Sequence, residues 1–109
     1  MRGQGFHGIA ALALIAAPAA VQAQAERVEE VSVDQLQQRM QSGATSSVAI
    51  TRAYLDRIAA LDRQGPTLRS VIATNPDALA QAKVLDDERR AGRVRGPLHG
   101  VPVLIKDNI

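Results

Sequence analysis

A lysine directly behind an unbroken apolar triplet, Val103-Leu104-Ile105-Lys106, carries the most chemical promise in this sequence. Desolvation disfavours the ammonium form of a lysine, and a neutral side-chain amine can act as a general base. A serine hydroxyl is too weak a nucleophile without such a base, so the serines are the next residues to weigh. Ser46-Ser47 is the only adjacent pair. It precedes the lysine, stands in no glycine-rich segment whose amides would hold an oxyanion, and sits where a helix needs its cap. Ser70 has no glycine-rich setting either. His99 invites a Ser-His-acid reading, and Asp107 offers the plain alternative in which Lys106 is a surface lysine with an ion-pair partner.

The apolar triplet implies a strand covered on both faces, as in α/β sheets, with Pro102 confined to its start or to a bulge. A strand ending on Lys106-Asp107-Asn108 would put the amine at its C-terminal end, where open α/β sheets assemble active sites. Upstream, Ser32 and Gln35 form the capping-box pattern, with Val31 placed to staple against Leu36. Val33, Leu36 and Met40 then follow at helical spacing, and Gly43 supplies a stop. A second helix is expected from Thr45-Ser46-Ser47 to about Arg63, with Ile50, Tyr54, Ile58 and Leu61 on one stripe and Gln64-Gly65-Pro66 ending it. Leu68 to Thr74 reads as a short strand. Asn75-Pro76-Asp77 reads as an N-cap, a proline at the first helical position and an acid in the first turn. That third helix runs to about Ala91, with Leu79, Ala82 and Leu85 inward, and closes at Gly92. The expected order is helix, helix, strand, helix, strand. A connection that contains a helix favours a parallel, right-handed crossover if the two strands share a sheet. Two strands and one covering helix cannot bury the triplet on both sides, so more sheet belongs with them.

Charge narrows the partners. Thirteen Lys and Arg against eleven Asp and Glu leave a net charge of only +2, and Phe6 and Tyr54 are the only aromatic residues. Neither a phosphate-binding block nor a stacking surface for single-stranded nucleic acid is present. The densest basic stretch, Arg89 to Arg95, follows Asp86-Asp87-Glu88 and reads as a solvated helix end. Without cysteine, neither a disulfide framework nor a Cys-ligated metal site can form.

Residues 1–25 have a separate character. Arg2, an uncharged run from Ile9 to Ala17, Pro18 and the small residues Ala23 and Ala25 make the layout of a secretory signal peptide. The apolar run is shorter than the roughly 20 residues of a membrane span. Cleavage is expected after Ala23 or Ala25, which implies a periplasmic or secreted protein with no membrane span left in the mature chain.

The block Gly96-Pro97-Leu98-His99-Gly100-Val101-Pro102-Val103-Leu104-Ile105-Lys106-Asp107-Asn108 closely resembles the N-terminal hallmark of the amidase signature family, roughly G-P-L-H-G-[IV]-P-[VI]-x-[VLI]-K-D-x. The helices upstream fit as well, so the resemblance covers residues 31–109. It implies an α/β fold, a mixed sheet flanked by helices, of which residues 26–109 form the N-terminal portion, truncated after the lysine strand. It also implies a Ser–cis-Ser–Lys hydrolase acting on a carboxylic amide of a small molecule or peptide, without metal or organic cofactor. Lys106 maps onto the family base, His99 onto a loop residue that is not the base, and Asp107 and Asn108 onto supporting positions. Both family serines and the glycine- and serine-rich oxyanion segment lie downstream of the lysine, so this chain alone is expected to be inactive. The competing expectation is a small exported binding or assembly module in which the lysine segment is only a core element. Oligomeric state is left open by the sequence.

Overall fold

Ser32 sets where the ordered helical part begins. In the computed structural model, which describes residues 25–108, its hydroxyl accepts from the Gln35 amide at 3.2 Å and the Gln35 side chain accepts from the Ser32 amide at 3.0 Å. This closed capping box starts α1, Val33–Gln41, and Ser42 with Gly43 at φ +77° ends it. The leader expected over residues 1–25 lies outside the described residues, except for Ala25.

Helix α2 spans Ser47–Arg57, with Ser46 as its N-cap accepting from the Ala49 amide at 3.1 Å. It continues without a break as a wider, π-helical segment, Ile58–Arg63. The turn that follows has room only for glycine at Gly65. Its φ is +53°, and a Cβ there would lie 2.8 Å from the Ala60 carbonyl oxygen. Helix α3 spans Ala78–Arg90, starting two residues later than Asn75 as N-cap would give. The Asn75 side chain accepts from the Asp77 amide at 2.9 Å, which closes a turn over Pro76 and delays the helix.

Helix α2 packs against α3, and the apolar core gathers Val28, Leu36, Met40 and Ile50, with Val31, Ala53, Tyr54 and Val101 against it. Removing a side chain such as Leu36 or Ile50 from water contributes about 1.5–3 kcal/mol each. Val33, expected on the inner face of α1, is 38% exposed. The chain before α1 is held to the core by polar contacts. Arg39 reaches the Glu26 carboxylate at 3.3 Å and the Arg27 carbonyl at 3.0 Å, and Thr45 donates to Glu26 at 2.8 Å.

The expected α/β architecture is corrected here. Among the described residues there are helices but no strand and no sheet. Over Leu68 to Thr74 the reason lies in where the backbone donors go. The amides of Leu68 and Arg69 donate to the carbonyls of Leu61 and Asp62, and those of Ser70 and Val71 to the Asp62 side chain. Thr67 and Arg69 also take positive φ values of +50° and +52°, which no strand contains. Residues 102–106 carry no regular secondary structure: a strand exists only in a ladder, and no backbone among the described residues pairs with them. Val103, Leu104 and Ile105, expected to be covered on both faces, are 65%, 73% and 86% exposed.

Candidate functional site

Asp62 lies in the π-helical segment, 3% exposed, and gathers the chain that follows it. Its carboxylate accepts from the Ser70 amide, from the Ser70 hydroxyl at 2.8 Å and from the Val71 amide at 3.3 Å. The Ser70 hydroxyl bond, foremost, holds the Asp62 carboxyl below its ordinary value; burial opposes this, and the Ser70 and Val71 amides and the Arg63 charge add to it. Arg63 then donates to the carbonyls of Val71 and Ile72 at 2.8 and 3.2 Å. Residues 67–72 are thereby tied to the end of the second helical run.

Residues 70–73 border an open cleft of about 770 Å³ that is also lined by residues 104–107, Lys106 among them. The two segments expected as strands therefore border one cleft, although no ladder joins them among the described residues. Lys106 is exposed, and among the described residues no carboxylate forms an ion pair with it. An amine in this setting is open to whatever enters the cleft.

The turn that delivers the lysine segment is built differently. His99 is buried and both ring nitrogens are engaged by backbone: Nδ1 accepts from the Arg95 amide at 3.2 Å, and Nε2 lies 2.8 Å from the Leu85 carbonyl. With Nδ1 accepting, Nε2 carries the proton and donates it to Leu85. This ring has no lone pair left to act as a base. Arg95 adds a two-pronged bond to Glu88, through Nε at 2.7 Å and through Nη2, which lowers the Glu88 pKa.

None of the serines weighed as nucleophiles is free. Ser46 caps α2, Ser70 donates to Asp62, and Ser47 donates from a buried position to the Gly100 carbonyl at 2.7 Å. Sequence reasoning placed the Ser46-Ser47 pair at the helix cap, which holds for Ser46; the Ser47 bond across the chain was not foreseen. Asp62 and Asp86 were also missed. A signal existed for both. Asp62 continues the four-residue series Ile50, Tyr54, Ile58, and Asp86 continues the Leu79, Ala82 stripe. A carboxylate on an apolar stripe needs polar partners where it is buried, and both have them.

Comparison with known proteins fits this arrangement. A family model for amidases matches residues 49–109. The solved native peptide amidase from Stenotrophomonas maltophilia is 60% identical, with a TM-score of 0.72, over 74% of this chain and 17% of that one. The Schizosaccharomyces pombe protein C869.01, an amidase by name, is 43% identical over 81 residues, 74% of this chain and 13% of its own length. One subunit of the glutamyl-tRNA(Gln) amidotransferase of Thermobifida fusca is 46% identical over 78 residues, 72% of this chain and 15% of its own. The chain thus spans between 13% and 17% of the length of these relatives. On its matched residues, which run through the His99 turn and the Lys106 segment, the chain belongs to the amidase family.

Proposed function

We propose that residues 26–109 supply the lysine-bearing part of an exported amidase that cleaves the C–N bond of a peptide amide. The observation that carries this reading is the 60% identity to a solved peptide amidase over three quarters of the chain, with Lys106 inside the matched family region. A second solved peptide amidase, also 60% identical to this chain, holds the competitive inhibitor chymostatin, in keeping with a peptide-like substrate.

In the proposed reaction Lys106 accepts a proton through a bridging serine from a second serine. The freed oxygen attacks the amide carbonyl, the C–N bond breaks, and the amine leaves with the proton that the lysine relay returns. Water then attacks the acyl ester by the same relay and releases the acid. We assign neither role to the five serines of this sequence, because Ser32 and Ser46 cap helices, Ser42 and Ser47 donate to the Arg39 and Gly100 carbonyls, and Ser70 donates to Asp62. The exposure of Val103, Leu104 and Ile105 supports this reading over a self-contained binding module, which would cover its own apolar segment. We further propose export through the leader at residues 1–25; N-terminal sequencing of the secreted protein should then begin at Gln24 or Glu26.

The test is hydrolysis of a peptide amide by three proteins. The 109-residue chain is expected to be inactive, a chain continued to the length of its relatives active, and its Lys106→Ala variant folded and inactive. Turnover by the 109-residue chain, or an unimpaired Lys106→Ala variant, overturns the proposal.

A further inference from the structure

The turn Gly96 to Gly100 is gripped from all three α-helices, and the grip closes on the carbonyl from which the lysine segment departs. From α1, Gln37 donates through Nε2 to the carbonyls of Pro97 at 2.8 Å and His99 at 3.0 Å. From α3, Arg89 donates to the His99 carbonyl at 3.0 Å and to Gln37 Oε1 at 2.6 Å, and Leu85 receives the His99 ring. From α2, Ser47 donates to the Gly100 carbonyl. Ser47 is itself fixed, because the Asp86 carboxylate of α3 accepts from its amide at 2.7 Å and from that of Val48 at 3.1 Å. Gly100, at φ +80°, sits so close that a Cβ would lie 3.2 Å from Met40 Sδ and from Ser47 Cβ and Oγ.

After Gly100 this dense bonding ceases. Val101 still packs on the core, and the chain then runs exposed to Lys106. Gly100 is therefore the last residue of the lysine segment held by a side-chain hydrogen bond among the described residues, and Ser47 makes that bond.

We infer that Ser47 is a positioning residue: through its bond to the Gly100 carbonyl it sets where the segment carrying Lys106 leaves the helical body. The inference rests on the amidase reading, since only there does the placement of the amine govern a reaction. Its mechanism is local. Loss of the hydroxyl leaves a buried carbonyl without its donor, and the carbonyl regains a partner only by swinging the turn toward water. The caps and the Val28, Leu36, Met40 and Ile50 core are untouched by that change, so the helices persist while the tail loses its direction.

The chain contains no cysteine, so two can be introduced and spin-labelled without interference. One replaces Arg52, exposed on α2, and the other Ile105, 86% exposed and next to the lysine. Pulsed dipolar spectroscopy of the full chain then reads the distance between the helical body and the lysine segment. The parent should give one narrow distance peak, and Ser47→Ala should lose it while keeping its helical circular dichroism. Ser46→Ala is the matched control. It removes the cap of the same helix and lowers the melting midpoint, yet it should retain the peak because Ser46 does not touch Gly100. Gly100→Ala, which crowds the same contact from the other side, should lose the peak as Ser47→Ala does. A Ser47→Ala chain that keeps the parent peak overturns the inference. So does a parent without a peak, and so does equal loss in Ser46→Ala. None of these outcomes bears on whether Lys106 is the base, which the hydrolysis test decides separately.

Discussion

The turn that ends at Gly100 and the segment that follows it are adjacent in sequence and opposite in physics. In the first, Gln37, Ser47 and Arg89, one from each helix, spend their polar atoms on the carbonyls of the turn, and His99 spends both ring nitrogens on backbone. No buried side-chain polar atom among the described residues lacks a partner. In the second, Val103 to Ile105 present apolar side chains to solvent, and Lys106 has no ion-pair partner among the described residues. The comparison teaches that hydrogen-bonded anchoring and exposed apolar surface are assigned to different stretches of one motif. The turn is fixed from three helices, and on the reading proposed above the segment beyond it carries the amine.

The largest expected effects sharpen that contrast by truncating one apolar residue on each side of it. Leu36→Ala and Ile50→Ala remove side chains that are 2% and 0% exposed. Each should cost about 2–5 kcal/mol, a large part of the stability of so small a core. Ile105→Ala removes a similar side chain that is 86% exposed, and should stay within about 0.5 kcal/mol. Urea titrations of the three variants measure both. An Ile105→Ala cost near that of Leu36→Ala would break the comparison, because the segment would then be buried.

The second contrast concerns pH. Asp62 holds residues 70 and 71 through a carboxylate whose pKa is lowered, so the folded state favours its charged form more than the unfolded chain does. Its contribution is therefore full at neutral pH, above the unfolded value, and is lost as pH falls through the ordinary carboxylate range and below it. Asp62→Asn should destabilise the chain at about pH 7 and flatten this acid limb of the stability curve. Thermal melts of parent and Asp62→Asn between about pH 3 and 7, values chosen to bracket the carboxylate range, test this. An unchanged acid limb would remove Asp62 from its anchoring role.

The helices were legible from the sequence because their signals are local. The Ser32–Gln35 box, the Gly43 and Gly65 stops, the Leu36, Met40 spacing in α1 and the Ile50, Tyr54 spacing in α2 each act within a turn or two. The sheet was misread for the converse reason. Val71-Ile72 and Val103-Leu104-Ile105 have strand composition, but a strand is a relation between two backbones, and here the nearest acceptor for residues 70 and 71 is the side chain of Asp62. The family resemblance of the block that ends on the Lys106 segment was legible as a motif. The grip on Gly100 was not, because Ser47 lies 53 residues away in sequence and a serine at the start of a helix already has a complete local explanation.

The smallest effect separates two exposed serines at the ends of α1. Ser32 accepts the Gln35 amide, one of the four donors that a helix start leaves without a partner, and Gln35 returns the bond to the Ser32 amide. Ser32→Ala should therefore cost about 1 kcal/mol. Ser42 donates to the Arg39 carbonyl at 3.1 Å, but that carbonyl already accepts from the amides of Ala44 and Thr45 at 2.9 and 3.3 Å. Ser42→Ala removes a redundant bond at a solvated site and should fall within about 0.5 kcal/mol of the parent. Equal costs for the two in urea titration would mean that exposure, and not the count of otherwise unpaired backbone groups, decides what a polar side chain contributes here. The same counting argument gives Ser47 its weight, since its bond to Gly100 is buried and serves a carbonyl with no backbone donor of its own among the described residues.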